Sequence, residues 1–145
     1  MNILVTGGAG YIGSHTALIL LNEGHNVSII DNLSNSKKIT IKKLQKLSEK
    51  KVDFQKIDLS NKSLIEKFFQ ERQIDGVVHF AGLKAVAESV KNPLSYFENN
   101  IIGTINLLDA MKKNHVKKFI FSSSATVYGD PEYLPMDERH PTSAI

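Results

Sequence analysis

The sequence predicts an α/β fold built on a doubly wound parallel sheet of strand order 3-2-1-4-5. Three observations predict it. Short apolar runs alternate with stretches of helical spacing as far as Phe121. Three spaced glycines, Gly7, Gly10 and Gly13, stand between the first run and the first helical stretch. An acid, Asp31, closes the second run.

Each element has its own warrant. Asn2–Thr6 is a short apolar strand, and Tyr11–Glu23 a helix closed by Gly24, the residue favoured just past a helix end. Val27–Ile30 forms a second strand that ends at Asp31. The loop Asn32–Ser36 and a lysine-rich helix lead to a third strand, Val52–Ile57. Ser60 is the expected N-cap for a helix over Leu64–Glu71. Asp75 opens the strand Gly76–Phe80. After a loop, Asn92-Pro93 starts a long helix to about Lys113, because proline fits a first helical position. Its residues Ile101, Ile105, Leu108 and Met111 have the spacing of a buried face. Lys117–Phe121 is the fifth strand and runs into Ser122-Ser123-Ser124. Beyond Gly129, Pro131, Pro135 and Pro141 punctuate a polar stretch with no period, which reads as loop. Strands separated by helices demand parallel pairing and right-handed crossovers, which gives the predicted order.

With 145 residues the chain has the size of one domain. No apolar run approaches the roughly 20 residues of a membrane-spanning helix. Met1 leads directly into Ile3-Leu4-Val5, so no leader peptide is expected. The lack of cysteine excludes disulfides and thiolate metal sites and fits a reducing cytoplasm. His15, His25, His115 and His140 form no metal-spaced cluster. The net charge of +3 is local: residues 37–51 carry +6 and the rest of the chain −3. These lysines alternate with Ile39, Ile41, Leu44 and Leu47, as expected for an apolar stripe with a solvated basic face. A nucleic-acid surface is the competing reading, and the absence of aromatic residues among the lysines counts against it.

The glycine segment carries the chemistry. Gly7 serves the tight turn, Gly10 lets the backbone approach a pyrophosphate, and Gly13 lets the helix pack close to the sheet. The helix N-terminus then offers free N–H groups and partial positive charge to the phosphates. Asp31 lies 18 residues past Gly13, near the spacing at which a carboxylate accepts from the adenosine ribose hydroxyls. That acid would repel a 2′-phosphate, and no arginine lies in Asn32–Ser36 to relieve it, so NAD is expected over NADP. Asp58, after the third strand, reads either as an adenine contact or as a loop carboxylate. Ser122–Ser124 reads as a strand-end cluster or as part of a ligand crevice. His79 is expected to be structural.

The spaced glycines with Asp31-Asn32-Leu33-Ser34-Asn35-Ser36 resemble the extended short-chain dehydrogenase/reductases, a Rossmann-like superfamily. Within it, His79–Val90 and Phe121–Gly129 look like the UDP-glucose 4-epimerase family. The resemblance covers the whole chain but only the N-terminal part of that family's sequence. It implies an NAD-dependent isomerase that interconverts UDP-galactose and UDP-glucose, with hydride leaving sugar C4 and returning to the other face.

By position, the resemblance assigns the pyrophosphate to Gly7, Gly10, Tyr11, Ile12 and Gly13, and the adenosine ribose to Asp31, Asn32, Asn35 and Ser36. Asp58 and Leu59 would lie at the adenine. Phe80, Ala81, Gly82, Lys84, Asn99 and Ser122 would line the rest of the cofactor. Ser124 would be the catalytic serine at the sugar's 4-oxygen, with Lys84 and Thr126 beside the UDP-sugar. Full-length members are often homodimers. Sugar-nucleotide 4,6-dehydratases carry an Asp-Glu pair after the fifth strand; this chain has Ser124-Ala125-Thr126 there and no carboxylate before Asp130. Ala87 stands where glycine is common.

The superfamily's base is a tyrosine four residues ahead of a lysine. Tyr11, Tyr96, Tyr128 and Tyr133 are followed at that distance by His15, Asn100, Glu132 and Asp137. Residues 1–145 are therefore expected to be an incomplete NAD-binding domain, without the substrate-binding domain and inactive alone. The alternatives are a non-catalytic NAD-binding or sensing module and an epimerase of another UDP-sugar. Phe119-Ile120-Phe121 is expected on an open sheet edge.

Overall fold

The computed structural model describes residues 1–143. Five parallel strands, β1 (Asn2–Thr6), β2 (Asn26–Ile30), β3 (Asp53–Gln55), β4 (Gly76–His79) and β5 (Lys118–Phe121), form one sheet of order β3-β2-β1-β4-β5. The order and the Rossmann-like winding match the expectation. Central β1 is flanked on both sides: Val5 pairs with Ile29 of β2 and with Val78 of β4.

Both faces of the sheet are covered, so its strands are apolar at successive positions rather than alternating with polar residues. The pleat sends neighbours to opposite cores. Ile3, Val5, Ile29 and Val78 pack with Ala17 and Leu21 of α1 (Tyr11–Asn22) and Ile41 and Leu44 of α2 (Ile39–Ser48). Leu4, Ile30 and Val77 pack with Ile65, Phe68 and Phe69 of α3 (Lys62–Gln70) and Leu107, Ala110 and Met111 of α6 (Gly103–Lys113). The Arg72 guanidinium lies 4.3 Å above the Phe68 ring and pairs with Asp53, which closes the rim of the second core. No helix among the described residues is long and apolar enough to cross a membrane.

Several expectations need correction. Ser60 does not cap α3; the Asn61 side chain does, accepting from Leu64 N–H at 3.2 Å, and the helix begins two residues earlier than its apolar pattern. β3 is shorter than Val52–Ile57, and Lys117 lies outside β5. Ile39 and Leu47 of the lysine-rich helix are exposed, so its buried stripe is Ile41 and Leu44 with Ser48.

The long helix of residues 92–113 is not uniform. After an unanticipated short helix α4 (Val86–Lys91), α5 (Pro93–Tyr96) passes into a π-helical stretch, Phe97–Ile102, before α6. Ile101, Ile105 and Leu108, taken as the buried face, are exposed, and only Met111 of that set is buried. The buried face is Gly103, Asn106, Leu107, Ala110 and Met111. Close approach selects it: a Cβ on Gly103 would come within 3.1 Å of the Leu59 side chain, and Asn106 donates to the Leu59 carbonyl at 3.0 Å. This second stripe has the same period in the sequence and mixes small residues, Gly103 and Ala110, with Leu107 and Met111.

Candidate functional site

The turn from β1 into α1 lies at the carboxyl end of the sheet, between β2 and β4. Gly7 adopts φ +68°, and its N–H donates to the Ile30 carbonyl at 2.8 Å. A Cβ there would stand 2.7 Å from the Ala81 backbone nitrogen, so both the conformation and the space require glycine. Gly13 is buried under the same turn, where a Cβ would overlap the Gly7 carbonyl and sit 2.9 Å from Gly8 Cα. No side chain caps α1 at Gly10, so the helix directs its first-turn N–H groups outward.

These features border a cleft of about 310 Å³ lined by Gly7, Gly10 and Tyr11, by Ile30 to Asn32 and Ser34 to Ser36, and by Phe80 to Leu83. Ile57, Leu59 and Asn99 complete its wall. Asp31 is buried, with both oxygens engaged: Oδ2 accepts from Ala9 N–H at 3.0 Å, and Oδ1 accepts from Leu33 N–H and Ser36 Oγ at 2.8 Å each. The acid thus ties the glycine turn to the loop after β2, and Oδ2, which accepts only one hydrogen bond, keeps acceptor capacity.

A second cleft of about 420 Å³ adjoins the first. Phe80, Ala81, Gly82 and Leu83 line both, and Lys84, Asn100, Thr104 and Phe121 to Ser124 line only the second. The expected residues therefore divide between two clefts. Gly7, Gly10, Tyr11, Asp31, Asn32, Asn35, Ser36, Leu59, Phe80, Ala81, Gly82 and Asn99 meet in the first, and Lys84, Ser122 and Ser124 in the second.

Four expected residues line neither. The Ile12 side chain is exposed on α1, and Gly13 lies beneath the turn. Asp58 accepts from Asn32 Nδ2 at 2.8 Å and from Ser60 N–H and Oγ at 2.9 and 2.8 Å. Burial alone would raise its pKa, but these hydrogen bonds hold the carboxyl below its ordinary value. In this structure Asp58 ties the loop after β2 to the loop after β3. Thr126 Oγ1 lies 2.8 Å from Ser124 Oγ, which also caps the 3₁₀ turn Ala125–Tyr128.

Leu83, Asn100 and Thr104 were not anticipated. The signal for Asn100 was faint: two adjacent asparagines within a helix, of which sequence singled out only Asn99. Among the described residues no group of acids and histidines could hold a metal ion. The donor set suits a phosphorylated organic ligand instead: glycine backbone, a helix N-terminus, one buried acid and neutral amides and hydroxyls.

The sequence profile of the family described as GDP-mannose 4,6 dehydratase matches residues 4–145. The chain is 57% identical over 129 residues to a UDP-glucose 4-epimerase of Schizosaccharomyces pombe, covering 89% of this chain and 36% of that protein. It is 53% identical over 147 residues to a bifunctional UDP-glucose and UDP-xylose 4-epimerase of Pisum sativum, covering 99% and 42%. Its fold superposes with a TM-score of 0.94 on the UDP-glucose 4-epimerase of Bifidobacterium longum, crystallised with NAD+ and UDP. That structure shares 48% identity, with 99% of this chain and 43% of the other covered. The chain thus spans about two-fifths of the length of these proteins.

Proposed function

The chain belongs to the GDP-mannose 4,6 dehydratase family, and from that premise we propose that it is the NAD-binding part of a UDP-glucose 4-epimerase. The observation that carries the reading is the pair of adjoining clefts. One has the glycine turn and Asp31, and the other has Lys84 and Ser124, with Phe80–Leu83 as their common wall.

The first cleft fits NAD. Gly7 lets the turn close against the Ala81 backbone, Gly10 keeps the cleft wall free of a side chain, and the first-turn N–H groups of α1 face the pyrophosphate. Asp31 takes the ribose hydroxyls at one end, with Leu59 and Ile57 against the adenine. Asn99 and Phe80–Gly82 hold the other half. NAD held by these residues would supply the hydride chemistry at the sugar's C4. In the second cleft Lys84 places a cation near the phosphates, and Ser124 Oγ holds the sugar's 4-oxygen while its proton moves, with Thr126 alongside.

The absence of an acid pair at Ser124-Ala125-Thr126 favours epimerisation over dehydration within the family. Without a Tyr-x-x-x-Lys pair, the chain alone has no general base for the sugar hydroxyl and turns nothing over. A second reading concerns the sugar alone. The pea relative, at comparable identity, is named for UDP-xylose as well as UDP-glucose, which favours the same chemistry on another UDP-sugar. Titration of NAD+ into the chain, followed by an assay for UDP-galactose conversion, tests the proposal. Saturable NAD+ binding without turnover is expected. No binding would end the cofactor reading, and turnover abolished by Ser124→Ala would overturn the inactivity of the chain.

A further inference from the structure

The residues on either side of Lys84 are each held at both backbone groups by one side chain. Asn100 Nδ2 donates to the Leu83 carbonyl at 2.9 Å, and its Oδ1 accepts from Leu83 N–H at 2.8 Å. One turn earlier, the Tyr96 hydroxyl accepts from Ala85 N–H at 3.1 Å and lies 2.8 Å from the Ala85 carbonyl, the nearer acceptor for its single proton, with Glu88 Oε2 at 3.2 Å the other. Leu83 N–H, the Leu83 carbonyl and Ala85 N–H, which water would otherwise satisfy, are taken by two side chains at positions i and i+4, while the Ala85 carbonyl also accepts from Glu88 and Ser89 N–H at the start of α4.

The helix is itself fixed at that level. Asn100 lies in the π-helical stretch, and Thr104 donates its hydroxyl to the Asn100 carbonyl at 2.6 Å. Thr104 in turn lies 2.9 Å from His79 Nε2, at the end of β4. The Asn100 amide also backs Gly82, where a Cβ would meet its Oδ1 at 3.4 Å. The pinned segment continues the wall that the two clefts share, and the exposed Lys84 is its only charged member.

We propose that Tyr96 and Asn100 are positioning residues: a two-point bracket that fixes Lys84 and the wall shared by the two clefts, so that the far half of a dinucleotide finds it preformed. The proposal rests on the cofactor reading above. Its energetic logic is preorganisation, since a wall already ordered loses less freedom when a ligand binds. Asp31 and the glycine turn, which would hold the adenosine half, make no hydrogen bond to Tyr96 or Asn100.

The test uses calorimetric titration of NAD+ and of ADP into the 145-residue chain. The variants are Tyr96→Phe, Asn100→Ala and Asn100→Asp, each with and without Lys84→Ala. Tyr96→Phe is nearly isosteric and guards against misfolding. Tyr96→Phe and Asn100→Ala are expected to weaken NAD+ by about tenfold, the scale of one or two lost hydrogen bonds, and to leave ADP within about twofold. In the Lys84→Ala background the same changes should cost less than about twofold, because the residue they position is gone. Asn100→Asp should recover toward the parent as pH falls and the carboxyl protonates, since the acid then offers one donor and one acceptor as the amide did. Equal losses for NAD+ and ADP, no loss for NAD+, or an undiminished effect without Lys84 would each overturn the bracket. A parent chain that binds ADP but not NAD+ would overturn the cofactor reading and the bracket with it.

Discussion

His79 Nε2 lies 2.9 Å from Thr104 Oγ1, and the direction of that hydrogen bond fixes the state of the imidazole. Thr104 commits its single hydroxyl proton to the Asn100 carbonyl, so toward His79 it can only accept. Nε2 therefore carries the proton, and Nδ1 accepts from the Thr6 hydroxyl at 2.5 Å. The ring stacks on Phe121 at 5.6 Å between centroids and is 2% exposed. It is a neutral, structural histidine that joins β1, β4 and α6.

That neutrality makes stability depend on pH. Burial, with a smaller contribution from the Lys84 charge, lowers the His79 pKa from its ordinary 6.5 to about 4. Between those values the unfolded chain binds a proton that the folded chain refuses, so stability rises with pH across the window. The contribution is complete above pH 6.5, declines as pH falls toward 4, and amounts to about 3 kcal/mol. Urea denaturation at pH 7.5 and 5 should show this slope in the parent and a flatter one in His79→Asn. Equal slopes would remove His79 as its source.

Gly7→Ala should abolish measurable NAD+ binding and destabilise the fold. Its φ of +68° disfavours any side chain, and the added methyl would press on the Ala81 backbone 2.7 Å away, at the shared wall. A loss of about 2 kcal/mol or more is expected by chemical denaturation. Retained NAD+ affinity would show that the turn has another ligand or none.

Asp31→Ala should act on both stability and affinity. It strands Ala9 N–H, Leu33 N–H and the Ser36 hydroxyl, with an expected loss of about 2–3 kcal/mol in denaturation. The parent should prefer NAD+ over NADP+ by about tenfold or more, and the variant should narrow that ratio by losing NAD+. An unchanged ratio would take the ribose out of Asp31's reach.

How far the sequence could be read depended on whether a signal was local. The glycine turn, Asp31 and the strand order follow from backbone chemistry within single βα units, and each lies where expected. The buried face of α6 was not legible from periodicity, because Ile101–Ile105–Leu108 and Gly103–Leu107–Ala110 satisfy the same spacing. Only the approach of Leu59, distant in sequence, selects the second. Asp58 shows the same limit: its spacing allowed two roles, and its hydrogen bond to Asn32, on a loop distant in sequence, was not legible in that spacing. The division of Lys84, Ser122 and Ser124 from the first cleft is a property of three-dimensional shape.

β5 pairs with β4 alone, and among the described residues nothing covers its other edge. Ile120 is 65% exposed on it. The isolated chain is expected to aggregate on warming through this edge, and Ile120→Lys should slow the rise in light scattering. An identical time course in the variant would locate the association elsewhere, for instance on the exposed Phe97, Ile101 and Ile105.

The wall from Phe80 to Leu83 belongs to two compartments at once, and this imposes a thermodynamic symmetry on whatever occupies them. A guest that stiffens or shifts the wall from one side alters the free energy of the other side, and the factor is the same in either direction. Neither compartment's affinity can then be tuned in isolation: each substitution in these four residues is a change to both.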